Sequence, residues 1–172
     1  VRIRGVFPRA GSMQFIDSER IEGAKTRGLV LDPAAALVIG LDIARHGADQ
    51  SVIYFRRGTD ARSIPPVKLR ISDLMALAGR TMEEAVRHGA QAVFVDATGM
   101  GWGVYDRLRQ LGCPGVVAVD FGKDADRSSG KDADAKYANK RAEIWGFMKE
   151  WLRGGCIAND LGYDRVFAQA LT

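Results

Sequence analysis

The stretch that most constrains this chain is Ala92 to Asp96 (AVFVD). It is apolar up to its last residue, a helical segment precedes it, and another comes after the turn ATGMG. That context predicts a strand covered on both faces, inside a sheet with helical crossovers. The preceding helix is capped by Ser72 and runs to about His88, with Leu74, Leu77, Ala78, Met82, Ala85 and Val86 along one face and Gly89 at its end. The next helix covers about Trp102 to Leu111. Upstream, Leu37 to Asp42 (LVIGLD) is a second near-continuous apolar run ending in an acid. Ser51 to Arg57 (SVIYFRR) lies close enough to pair with it as a hairpin. Val67 to Ile71 (VKLRI), after the Pro65-Pro66 break, and Val116 to Val119 (VVAV) add two more strands. A long helix is predicted over Ala135 to Arg153, before Gly154-Gly155. The predicted order is β-β-β-α-β-α-β-α, an α/β fold with a mixed sheet flanked by helices and right-handed crossovers.

Residues 1–36 read differently. Gly5, Pro8, Gly11, Gly23, Gly28 and Pro33 punctuate short apolar stretches, and only Ser18 to Lys25 has helical character. This part is expected to be a linker or arm leading into a domain over residues 37–172. A start at Val1 without Met or an apolar signal core suggests a piece of a longer polypeptide. The 172 residues suffice for one core, and no apolar run approaches the ~20 residues of a membrane span, so no membrane association is expected. The net charge of +4 is concentrated early, where residues 1–31 carry six basic and three acidic side chains. It fits a polyanionic partner, although so mild an excess more often only keeps a globular protein soluble. Cys113 and Cys156 match neither a CxxC pair nor zinc spacing and are expected as buried thiols in a reducing compartment.

Asp42 and Asp96 carry the chemistry in this pattern. If their strands are adjacent and parallel, both carboxylates emerge at one edge, and ligand sites in such sheets lie at the carboxyl ends of strands. Two carboxylates so close repel, and a divalent cation with oxygen ligands is the economical reason to place them there. Either acid alone reads as the start of a turn. The pair, each ending an apolar strand before a Gly-containing turn, reads as a site.

The strings GLDIARHGADQSVIYFRRG, VFVDATGMGWGVYDRLRQLG and YANKRAEIWGFMKEWLRGGCI resemble, in order and spacing, the nuclease domain of the large terminase subunit of tailed bacteriophages. VRIRGVFP is similar to the stretch that joins this nuclease to the preceding packaging ATPase. The resemblance implies a ribonuclease H-like fold and a metal-dependent endonuclease that cuts concatemeric double-stranded viral DNA. It implies Mg²⁺ or Mn²⁺, two ions, bound by an acidic cluster, with Asp42 bridging the ions and Asp96 binding one. Asp49 matches a second acid of the first block. The implied partners are double-stranded DNA, the packaging ATPase domain of the same polypeptide, the portal and the small terminase subunit, in the cytoplasm of a bacterial host. The family's third metal-binding aspartate, in a later helix, has no counterpart before Thr172, while Asp160 and Asp164 read as surface or turn residues. The nuclease domain is therefore expected to be C-terminally incomplete.

Asn139, Lys140 and Arg141, near the start of the last long helix, are candidate DNA contacts. Lys and Arg suit phosphate oxygens and backbone N–H groups add partial positive charge; the alternative is a solvated face. Trp102, Tyr105, Trp145 and Trp151 stand at helical positions and are expected in the core. Gly99, Gly101 and Gly103 are expected to permit close backbone approach to a phosphate chain or to the sheet. His46 reads as an exposed loop histidine, and the loop from Lys123 to Lys136 as a mixed-charge flap or connection. Two other functions stay open. GLDIARHG and VDATGMG also fit the paired phosphate-binding turns of an actin-like ATPase or sugar-kinase half, although Arg45 to Ala48 departs from the Gly-Thr turn of those enzymes. A third reading is a non-catalytic DNA-gripping module of a motor, with Asp42 and Asp96 as relics. No GxxxxGK[ST] occurs, which excludes a P-loop.

Overall fold

The alternation in the first two strands decides which face of the sheet is filled. In Leu37–Asp42 (β1), Leu37, Ile39 and Leu41 are buried while Gly40 and Asp42 are exposed; in Ser51–Arg57 (β2), Ser51, Ile53 and Phe55 are buried. The two pair antiparallel, Leu41 opposite Ile53 and Asp42 opposite Val52, as the expected hairpin. The computed structural model describes residues 14–44, 49–126 and 137–159. Among these, Asp60–Ala61 (β3), Val67–Leu69 (β4), Ala92–Asp96 (β5), Val116–Val119 (β6) and Cys156–Ile157 (β7) complete a seven-stranded sheet. Its order is β6-β5-β1-β2-β3-β7, with β4 also paired to β2. β5 runs parallel beside β1, Leu41 against Val95, and β6 runs parallel beside β5. This is the mixed sheet the sequence predicts, with β3 and β7 added; at two residues each they carry no periodicity to read.

Two helices, Leu74–His88 (α2) and Gly101–Gln110 (α3), form the crossovers into β5 and β6. Both crossovers step the same way along the sheet, so right-handed connections put both helices on one face. There Leu77, Ala78, Ala85, Val104 and Leu108 close over Leu37, Ile39, Leu41, Ile53, Phe55, Val93 and Val95. The expectation that the AVFVD strand is covered on both faces is corrected. Val93 and Val95 are fully buried, but Phe94 on the opposite face is 38% exposed, and its neighbour Val117 is 42% exposed. The helix boundaries also shift. Asp73, not Ser72, caps α2, its Oδ1 accepting the Met75 N–H at 2.8 Å, and Gly89 ends it in the left-handed region at φ 64°. The last helix is Lys140–Trp151 (α4); Asn139 before it is extended, so residues 137–139 lie outside the helix that the sequence predicts from Ala135.

A second, smaller core joins the N-terminal part to the sheet's far edge. Ser18–Thr26 (α1) contributes Ala24, which packs with Ile16, Leu152 and Ile157, flanked by Ile21, Trp145 and Trp151. Three arginines bind this unit through carbonyls. Arg20 donates to the Lys149 carbonyl at 3.1 Å, and Arg27 to those of Leu152 at 3.1 Å and Gly155. Arg62 donates to the carbonyls of Ala24, Lys25, Arg27 and Ile157 at 2.7 to 3.1 Å. Guanidinium groups suit the carbonyl-rich C-terminal ends of helices, where orphan acceptors and the negative end of the dipole coincide. Within the expected arm, α1 and Arg27 therefore pack against the end of α4 and β7. Arg62→Met should lower stability by about 2 kcal/mol, because these acceptors lose a charged donor. A urea midpoint unchanged from wild type would show that water serves the four carbonyls as well. Both cysteines are free and buried as expected, and burial pushes the Cys113 thiol pKa up.

Candidate functional site

Because the β1 and β5 ladder matches Leu41 to Val95, the next residue of each strand, Asp42 and Asp96, leaves the sheet at the same edge. Neighbouring strands are about 4.8 Å apart, so the two acids are side by side. Asp42 keeps contact with solvent, yet its pKa is raised. Desolvation by the surrounding protein is the main cause and the charge of Asp96 adds to it, against an opposing hydrogen bond from the Ile43 N–H. Asp96 is half-buried and its Oδ1 accepts the Thr98 N–H at 2.9 Å, an Asx turn that fixes the carboxylate as the chain leaves β5.

Beyond Asp96 the chain borders a cleft of about 210 Å³ lined by Ile43, Asp96, Thr98, Met100, Gly101 and Arg141. Gly99 takes φ 65°, and Gly101 sits so near β5 that a Cβ there would overlap the Asp96 carbonyl. Of the three glycines expected to permit close approach, Gly101 thus meets the sheet, whereas a Cβ at Gly103 would meet only Leu74 Cδ1 at 3.9 Å. Met100 at the N-cap offers no side-chain hydrogen bond, so the first N–H groups of α3 have no side-chain cap at the cleft wall.

The three candidate DNA contacts occupy different environments. Asn139 caps α4, its Oδ1 accepting the Ala142 N–H at 2.9 Å. Lys140 lies 2.6 Å from Asp126 Oδ2 and 2.7 Å from Glu143 Oε2, and hydrogen bonds to these carboxylates raise its pKa. Arg141 lines the cleft itself, with its guanidinium carbon 5.6 Å from the centre of the Phe121 ring. Asp49 is exposed, and no three His, Cys, Asp or Glu residues among those described come together as a metal cage, so it is not gathered with the pair. His46, Asp160, Asp164 and residues 127–136 lie outside the described residues. Trp102, expected in the core, is 40% exposed, whereas Tyr105, Trp145 and Trp151 are half-buried.

A third acid also follows an apolar strand. Asp120 comes after β6 as Asp96 ends β5, since Asp96 pairs with Val119, and its Oδ1 accepts the Gly122 N–H at 3.0 Å. VVAVD carries the same signal as AVFVD, an apolar strand ending in aspartate. It stands one strand beyond Asp96, away from Asp42.

No protein-family model matches the chain, and no curated protein matches it. Solved structures do. The nuclease domain of the large terminase subunit gp2 of bacterial virus Sf6 superposes with a TM-score of 0.69 at 18% identity, over 82% of this chain and 65% of that one. A lysine-to-alanine variant from the same subunit, with calcium, gives 0.72 at 15% identity over 92% of this chain and 80% of the other. The same kind of variant with manganese gives 0.64 at 16% identity, with the same coverages. The fold is thus the ribonuclease H-like fold of a terminase nuclease domain, as the resemblance implies. The chain spans about 65% of the length of the first of these relatives.

Proposed function

We propose that this chain is the nuclease domain of a phage large terminase subunit, a metal-dependent endonuclease that hydrolyses phosphodiester bonds of concatemeric double-stranded DNA. The observation that carries the reading is the ladder register that sets Asp42 beside Asp96 at one sheet edge. The donor set fits a hard divalent cation, Mg²⁺ or Mn²⁺. Both side chains offer oxygen only, and the repulsion that adds to the raised Asp42 pKa is what a cation between them relieves. Manganese and calcium in the similar Sf6 domains support the same choice.

When bound, such ions supply Lewis acidity that makes water a nucleophile at neutral pH and offsets charge on the phosphate. The rest falls to the chain's own groups. Asp42 and Asp96 hold the cation, and the Thr98 N–H keeps the Asp96 carboxylate from rotating away. Arg141 in the cleft wall and the N-terminal N–H groups of α3 receive phosphate oxygens, and stacking on Phe121 limits the freedom of the Arg141 guanidinium. Lys140 holds α4 to the segment after β6 through Asp126, which positions Arg141. A second ion requires an acidic ligand besides this pair. On this reading the chain works in the host cytoplasm beside a packaging ATPase domain of its own polypeptide, with the portal and the small terminase subunit as partners. No helix among the described residues is long and apolar enough to cross a membrane.

Incubation with supercoiled plasmid tests the proposal. Mn²⁺ or Mg²⁺ should raise the melting temperature and support nicking, and a chelator should abolish both. Undiminished cutting in chelator, or no thermal response to either metal, overturns it. A thermal shift with ATP and none with Mn²⁺ would move the assignment to the actin-like reading.

A further inference from the structure

Trp102 is an exposed aromatic beside the cleft that the proposed chemistry does not use. It sits next to Gly101, a cleft-lining residue, in the first turn of α3, and 40% of its surface meets solvent. The Tyr105 ring meets it edge-on, centres 5.6 Å apart at 88°, and Lys123 Nζ stands 5.7 Å from its ring centre. Farther along α3, Arg109 lies 5.8 Å from the Tyr105 ring. Trp102, Tyr105 and Arg109 are spaced three and four residues apart and share one helix face. The short segment after β6 joins this face to the cleft. Lys123 reaches Trp102, its carbonyl accepts the Lys140 N–H at 2.8 Å, and Phe121 two residues earlier carries Arg141. Two cation and aromatic pairs thus lie next to cleft-lining residues, Arg141 of the lining with Phe121, and Lys123 with Trp102, which follows Gly101 of the lining.

We infer that this surface is a stacking subsite for one unpaired nucleobase of the strand whose phosphate enters the cleft, with Trp102 as the platform. The inference rests on the nuclease reading for the identity of the strand and deepens it. The substrate engages with a base unstacked next to the reacting phosphate, as at a frayed, nicked or single-stranded flank. An indole face takes any base, so the subsite adds affinity without sequence preference. Lys123 and Arg141 suit the phosphates on either side of that base, and the flexible Lys123 stem lets its ammonium leave the ring as the base arrives. Asp106 and Asp124 are exposed nearby in sequence, so the local charge is mixed and stacking supplies most of the gain.

The test is binding in chelator, where no cutting occurs, of a fluorescent oligothymidylate and of a blunt duplex of equal length. Trp102→Ala should weaken oligothymidylate binding by about tenfold, within the range measured for loss of one base stack, and change duplex binding by less than twofold. Trp102→Phe should keep most of the single-strand affinity. Equal losses on both DNAs, no loss on either, or a Trp102→Phe variant with wild-type melting that binds as poorly as Trp102→Ala would each overturn the inference. Failure of the nuclease reading looks different, as absent Mn²⁺-dependent nicking with the selective effect of Trp102→Ala on oligothymidylate binding intact.

Discussion

Asp42→Asn should reduce metal-dependent cleavage by on the order of a thousandfold, about 4 kcal/mol of transition-state stabilisation, while the metal-free protein stays at least as stable as wild type. The two halves of this result share a cause. The raised Asp42 pKa means that the folded chain holds that proton more tightly than the unfolded chain does. As pH rises from the ordinary value of 3.8 to the raised folded value, the unfolded state ionises first and stability falls. Above the folded value the whole penalty remains. Asparagine cannot ionise, so its advantage in metal-free melting temperature should be present at neutral pH and disappear below pH 3.8. The amide is also a poorer ligand, so the rise in melting temperature with Mn²⁺ should shrink. Melting curves at pH 3.5 and 7, with and without Mn²⁺, read all of this without DNA. A metal-free Asp42→Asn protein clearly less stable at pH 7 would identify Asp42 as a turn acid held by backbone N–H groups.

Gly101→Ala should be the most damaging single methyl group near the cleft. Its Cβ would overlap the Asp96 carbonyl, a backbone atom of a central strand, so relief requires α3 to move away from β5. Such overpacking should cost on the order of 3 kcal/mol, and displacement of the Asp96 turn should remove the thermal response to Mn²⁺. Gly103→Ala is the control. Its new methyl meets only Leu74 Cδ1 at 3.9 Å, and alanine in place of a helical glycine should stabilise by about 0.5 to 1 kcal/mol. Equal effects of the two substitutions would refute close packing of α3 on β5 as the reason for a glycine at 101.

The parts legible in the sequence are those with strong periodicity or a sharp chemical break. LVIGLD, SVIYFRR and AVFVD are strands at the expected residues, and the antiparallel and parallel pairings arise from the connections between them. The acids ending two of those strands stand where the pattern puts them. Other features depend on tertiary packing. Val86 fits the apolar face of α2 by spacing but is 66% exposed, while Glu84 is 1% exposed. That carboxylate is buried because Arg80, Arg87 and His88, each within about one helical turn, reach it; an apolar stripe gives no warning of such a cluster. Trp102 departs from its expected core position for a related reason. The sequence supplies its helical position, but only the fold shows that the residue before it is pressed against β5 while Trp102 itself is 40% exposed. The roles of Asn139, Lys140 and Arg141 separate only when the cap, the carboxylates and the ring around them are seen.

The arginine contacts with the end of α4 have a mechanical consequence. α4 is about 18 Å long at the usual rise per residue. Near one end it holds Arg141 in the cleft; at the other, its closing carbonyls are gripped by Arg20 and Arg27 from the α1 segment. A helix of this length is stiff, so it acts as a strut between the N-terminal segment at one end and the cleft-lining Arg141 guanidinium at the other. Displacing α1 would therefore strain the same helix that carries Arg141 beside Asp96.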